Sequence, residues 1–283
     1  MARRFSAAYQ KEPVSALASW ARRLAIFALI ATLVSVLVVR FGFLDFRPAL
    51  ATFFGALALS GISILLCFAA FAAIWQNGSR GMTRILFALL VNALILAYPA
   101  YLAIQYQRLP RLYDISTDPI DPPRFDALAR LRAADGANTA AYAGLYSAEQ
   151  QRKAYPNIEP VLLDLPPQRA YDMALRLVAH RKWLIVDERP PLPPQRIGRI
   201  EAVARTLVMG LREDVSIRIV PDDDGSRVDM RSSSRYFEHD FGSNAARIAS
   251  FTSDLNDAAD NAKPEKKILA PAKEPQPKGA KRR

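Results

Sequence analysis

Three long apolar runs occupy the first third of the chain. "LAIFALIATLVSVLVVRFGFL" (residues 24–44) is broken only by Arg40 near its end. Ala49–Trp75 carries no charge, and Ile85–Ile104 holds Asn92 and Pro99 but no Asp, Glu, Lys, Arg or His. Each run reaches the roughly 20 residues needed to cross a hydrocarbon core ~30 Å thick, so the pattern predicts three transmembrane helices over residues 24–104. The first run is longer than a signal-peptide core and is followed by no small-residue cleavage site, so it is expected to stay as an anchor. "PVSALASWA" ahead of it reads as an interfacial lead-in, with the Trp20 indole at headgroup level. Gly55, Ala58, Ser60, Gly61 and Ser63 are small enough to let spans approach closely. Asn92 is expected to bond a neighbouring helix, the alternative being a substrate-pathway residue.

Beyond the third run the period changes. Residues 105–154 read as a juxtamembrane segment. In it "DISTDPIDPPRF" is extended and turn-rich, because Pro119, Pro122 and Pro123 bar their predecessors from helix, and "RFDALARLRAA" is a short helix. Residues 155–260 read as an α+β domain. "VLLDL" and "WLIVDE" suit strands. Between them "PPQRAYDMALRLVAHR" places Ala170, Met173, Ala174, Leu177 and Val178 on one helical face. Ile200, Ala202 and Ala204 alternate, as do Val215, Ile217 and Ile219, and then Val228 and Met230; the last two runs flank "PDDDGS", the mark of an antiparallel hairpin. "DFGSNAARIASFTSDLNDA" puts Phe241, Ala245, Ile248, Phe251 or Thr252, and Leu255 on one stripe, with Asp240 or Ser243 as N-cap. The predicted fold is a three-helix transmembrane anchor plus an α+β domain, an antiparallel sheet with helices packed on one face. The tail, residues 261–283, is Lys- and Pro-rich and is expected to be disordered.

Charge adds a direction. The net +11 of the 283 residues divides as +4 over residues 1–23, +2 over 24–150, −1 over 151–262 and +6 from Lys263 onward. A near-neutral domain lacks the basic face that nucleic acid requires, so no nucleic-acid partner is expected. Arg3, Arg4, Lys11, Arg22, Arg23, Arg80 and Arg84 flank the spans on one side; Arg40, Arg47, Arg108 and Arg111 flank them on the other. The side richer in Arg and Lys stays cytoplasmic. Residues 1–23 are therefore a basic cytoplasmic N-terminus, and everything after Tyr106 stands on the far side, which in a bacterium is the periplasm. The lone Cys67 excludes an internal disulfide and Cys-based zinc sites.

The densest polar chemistry lies in "RVDMRSSSRYFEHDFGSNAARI" (227–248). Arg231, Ser232, Ser234, Arg235, Asp240, Asn244 and Arg247 are the candidate ligand-binding residues, since paired guanidinium groups can clasp an anionic headgroup or carboxylate. The competing account is a structural seam, with Arg218 paired to Asp229 across the hairpin, Asp240 capping the last helix, and Asn244 and Arg247 reaching back to the strand end. A hydrolytic triad from Ser232–Ser234, His239 and Asp240 is disfavoured: no "GxSxG" elbow exposes a nucleophile, and His239 reads as a surface or capping residue. "DISTD" begins like a calcium loop at Asp114, Ser116 and Asp118, but Pro119 and Phe125 stand where Gly and Glu are required, so Asx-turns explain it better. No catalytic residue, metal ligand or cofactor is assigned.

"DISTDPIDPPRF", "YPNIEPVLLDLPPQRAYDMAL", "GRIEAVARTLVMGLREDVSIRI", "GSRVDMRSSSR" and "DFGSNAARI", in that order, resemble the domain-of-unknown-function 1499 family of bacteria and plastids over about residues 106–257. The resemblance implies a membrane-tethered bacterial envelope protein; it carries no activity and no catalytic residues. The expected function is a non-enzymatic inner-membrane binding or scaffold module whose partners are membrane lipids, a lipid-like ligand or an envelope protein. The alternative is an envelope hydrolase for lipid or cell-wall substrate, using Asp214, Glu201 or the Ser232–Asp240 cluster.

Overall fold

A computed structural model of the chain describes residues 13–43, 46–135 and 137–262. The basic residues 1–12 and the tail from residue 263 lie outside the described residues, and so does the expectation of disorder there. Helices α1 (Ala16–Phe41), α2 (Phe46–Asn77) and α3 (Met82–Arg108) correspond to the three apolar runs, and all are long and apolar enough to cross a membrane. α1 starts well before its predicted span. The Ala-rich lead-in is helical, Ser15 accepts the Ala18 N–H at 3.4 Å, and the preceding backbone pairs with Arg80.

Small side chains bring the helices together, as close packing in lipid requires. Ala18, Ala21, Ala25 and Ala28 of α1 are buried against Cys67 and Ala70 of α2 and Ile85 and Ala88 of α3. Of the residues expected to pack, Ser60 and Ser63 are buried. Gly55 and Gly61 instead face open space, and Ala58 is exposed. The contact stripe runs 56–60–63–67–70, a phase that composition alone does not reveal. Asn92 Nδ2 donates to Ser63 Oγ at 2.9 Å, and Ser60 Oγ donates to Asn92 Oδ1 at 2.9 Å. Asn92 is thus a bond between α3 and α2.

The remainder is a six-stranded antiparallel sheet, β1 (Asp114–Ser116), β2 (Val161–Leu163), β3 (Leu184–Arg189), β4 (Gly198–Arg205), β5 (Arg212–Asp222) and β6 (Gly225–Ser234). The order is β1-β6-β5-β4-β3, and β2 shares the β6 edge with β1. Gly225 is where β2 crosses the β5–β6 turn: a Cβ there would lie 2.1 Å from the Leu163 carbonyl oxygen, so only glycine fits.

Helices α6 (Pro167–His180) and α7 (Ser243–Ala262) cover one face of the sheet. The predicted inward residues Ile200, Ala202, Val215, Ile217, Val228 and Met230 meet Ala170, Ala174, Ile248, Phe251 and Leu255 there in one core. The helical stripe continues to Ala259, and α7 extends to Ala262, into the start of the segment expected to be tail. On the opposite face Phe125 and Leu128, from α4 (Ala127–Asp135) and the chain before it, pack on Val203. The juxtamembrane segment therefore supplies an edge strand and a cover for the sheet. α5 (Leu145–Ala154) completes the edge: its Gln151 amide accepts the Ser116 N–H at 3.0 Å and donates to the Ser116 carbonyl at 2.6 Å, standing in for a further strand.

The head meets the spans at one end of the sheet. The β4–β5 loop lies on the end of α1, where Arg40 donates to the Leu207 carbonyl at 2.6 Å. His239 contacts the Leu109 carbonyl just past α3 at 3.2 Å, and its ring lies 5.1 Å from that of Tyr106.

Candidate functional site

Alternation along β6 divides the polar stretch. Ser232 and Ser234 share the face of Val228 and Met230, under α7; Arg231 shares the other face with Asp229 and Ser233. The candidate residues accordingly form two clusters, one on each side of the sheet.

On the helix side Glu213 is the centre. It faces Ser234 in the β5–β6 register and accepts from Ser234 Oγ at 2.9 Å, from Ser243 Oγ at 2.6 Å and from Arg247. Asn244, fully buried, uses its whole bonding capacity. Its Oδ1 accepts from Ser232 Oγ at 2.7 Å and Arg247 at 2.9 Å, and its Nδ2 donates to Ser234 Oγ at 3.0 Å and the Tyr113 carbonyl at 3.1 Å. Asp240 caps the helix: its two oxygens accept the Gly242 and Asn244 N–H groups, each at 2.9 Å. Burial pushes the Asp240 carboxyl above the usual aspartate range, against those two bonds, and the nearby Glu213 charge adds to the rise. The seam expected for Asp240, Asn244 and Arg247 is present in full.

On the opposite side, Arg231 sits between the rings of Phe125 (4.4 Å from guanidinium carbon to centroid) and Tyr142 (5.4 Å). It clasps Asp114 with two bonds of 2.9 and 2.6 Å and donates also to the Pro123 and Ala140 carbonyls. Burial pushes the Asp114 carboxyl up, opposed by Arg231. Burial also raises the Tyr142 phenol to about 12, with the Asp114 charge adding to it. Arg235, just past β6, donates to Asp214 Oδ1 at 2.9 Å, while Arg132 of α4 takes Asp214 Oδ2 at 2.6 Å. At the far end of this face Arg218 bonds Asp229 at 3.1 and 2.9 Å, the cross-strand pair anticipated from the hairpin. Asp118 accepts the Ile120 and Asp121 N–H groups in an Asx-turn.

The groups named for catalysis do not converge. Glu201 is completely buried and accepts backbone N–H groups at the start of α4, at 2.8 Å from Asp126 and 2.9 Å from Leu128. Asp214 is held between two guanidinium groups. His239 is buried, contrary to the surface reading, because its ring lies between the tilted rings of Tyr106 and Phe241. Its Nδ1 accepts the Phe241 N–H at 2.8 Å while Nε2 faces the Leu109 carbonyl, so neither ring nitrogen is turned to a serine. A shallow groove of about 270 Å³ on the head, bounded by Met173, Leu177 and Ala258 of α6 and α7, shares no residue with the polar clusters.

Asp114, Arg132, Glu213 and Tyr113 complete the clusters and were not among the predicted residues. The register carried a signal for one of them: pairing Arg218 with Asp229 places Glu213 opposite Ser234. Nothing local pointed to Asp114 or Arg132, which arrive from 117 and 82 residues away in the chain.

The fold is thus a helical membrane anchor carrying an α+β head whose polar stretch is an internal network. Residues 114–255 match the family described as protein of unknown function (DUF1499), and the chain belongs to that family. No curated protein matches the chain.

Proposed function

We propose that the chain is a multi-pass inner-membrane protein of the bacterial envelope, with a cytoplasmic N-terminus, whose periplasmic α+β head is a non-enzymatic scaffold for an envelope protein partner. One observation supports this best: Arg231, Arg235 and Arg247, the groups suited to hold an external anion, are each engaged by a buried carboxylate of the chain itself. A lipid-like ligand would need the inward strand residues to line a cavity, and these residues are packed against α6 and α7. For the hydrolase alternative, the Ser232 and Ser234 hydroxyls are bonded to Asn244 and Glu213, and His239 is engaged elsewhere. The larger basic count flanking the first span and the α2–α3 link supports the orientation.

Native mass spectrometry of the full chain, wild type against Arg247→Lys, tests the scaffold reading. The expected result is the same set of adhering lipids for both, released at the same collision energy. A lipid retained by the wild type and lost from Arg247→Lys would show that the head binds it, and would overturn the proposal.

A further inference from the structure

The β4–β5 loop, "TLVMGL" (Thr206–Leu211), is apolar although it joins two strands of the extramembrane head. Leu207 at its tip is 89% exposed, while Met209 is buried with Val39 of α1, and Val36, Phe53, Val208 and Leu211 pack around them. Val36 lies five residues before the end of α1, about 7 Å down the helix at 1.5 Å per residue. The loop therefore reaches past the end of the span to the level of its last turns. Gly210 makes the approach possible: its φ is +65°, and a Cβ there would lie 3.1 Å from the Arg40 Cα. Arg205 donates to the Arg40 carbonyl at 3.2 Å, fixing the loop to the helix from the other direction.

Leu207 does not stand alone. Phe41 and Phe43 at the end of α1 and Phe54 in α2 are all more than half exposed, large apolar side chains on the end of the spans that the loop touches. Among the described residues around this contact, the charged side chains Arg40, Arg47, Arg205 and Arg212 are all basic, as suits lipid phosphates. At the other end of the sheet the Asp222–Gly225 turn has three acidic residues in a row, while the β3–β4 loop beside it exposes Leu192 and Ile197.

We propose that the β4–β5 loop is an interfacial membrane anchor: Leu207 inserts among the lipids of the leaflet at the C-terminal end of α1, and the sheet stands on the bilayer by this tip. The inference rests on α1–α3 crossing the membrane, and it adds a contact between the head itself and lipid. It also implies that the head does not swing freely on the residues after α3.

The test uses the full chain, with buried Cys67 replaced by Ala, in phosphatidylethanolamine/phosphatidylglycerol vesicles containing a lipid with a quencher on its upper acyl chain. An environment-sensitive fluorophore is placed in turn on Leu207→Cys, on Asp224→Cys at the distal turn, and on Leu94→Cys on the exposed face of α3. The expected result is blue-shifted, lipid-quenched emission at 207 and 94, and water-exposed, unquenched emission at 224. Quenching at 94 but not at 207 would overturn the anchor while leaving the membrane spans intact. A blue shift at 207 without lipid quenching would mean that a protein surface covers the tip, which also overturns it. Loss of quenching at 94 would remove the membrane reading beneath both.

Discussion

Asn244 holds the helix-side cluster together, because its carboxamide bonds a strand serine, a helix arginine, a second strand serine and the Tyr113 carbonyl at once. Removing it strands buried partners, each of which costs about 1–3 kcal/mol when left unbonded. Asn244→Ala is expected to destabilise the head by about 2 kcal/mol or more, measured by pulse proteolysis of the full chain. Asp118 supplies a pH handle. Burial alone would raise its pKa, but the Asp121 N–H and the Arg227 charge, helped by the Ile120 N–H, bring it below the ordinary value. Its contribution to stability is therefore fully present above the ordinary aspartate pKa and is lost as the pH falls through the lower folded value. The raised carboxyls of Asp114 and Asp240 act in the opposite sense. The measurement is thus the difference between wild type and Asp118→Asn, which is expected to shrink as the medium is acidified below about pH 4. At this scale the sequence was half legible. Parity along β6 is enough to put Arg231 on one face and Ser232 and Ser234 on the other, although the candidate site groups them as one, whereas the partners Asp114 and Arg132 come from distant segments with no pattern to announce them.

At the scale of elements, legibility followed length and period. Strands with clear alternation, β4, β5 and β6, and the amphipathic α6 and α7 were readable because burial on one face imposes a period. β1 was not, since three residues, all buried, show no alternation. The role of α5 was hidden as well, because it is decided by one side chain, Gln151, mimicking a strand edge. The spans were plain from hydropathy, but their mutual faces were not, since an apolar run has no phase. Two substitutions test these contacts. Gly225→Ala is expected to push β2 off the β6 edge and cost at least about 2 kcal/mol, with faster amide exchange in Val161–Leu163 as the local sign. Asn92→Leu removes the α3–α2 bonds and is expected to weaken the helix bundle by about 1 kcal/mol, read as a lower unfolding midpoint in detergent while the head keeps its protease resistance.

At the scale of the molecule, an odd number of spans puts the ends of α1 and α3 on the same side as the head, and the head touches both. His239 and Tyr106 tie it to α3, and the β4–β5 loop ties it to α1. On the proposed orientation, alkaline phosphatase fused after Ala262 is expected to be active and a green fluorescent protein fused there dark; the reverse pattern would place the head in the cytoplasm. The account as a whole turns on the arginines of the head being structural. In full chain purified in detergent, Arg231→Met leaves the buried Asp114 carboxylate without the guanidinium that clasps it and is expected to cost about 3–5 kcal/mol. Replacing Asp114 by Leu in the same chain should restore most of that loss. An arginine kept for an external anion behaves in the opposite way, since its removal leaves stability unchanged or improves it. An Arg231→Met protein as stable as the wild type would contradict the account.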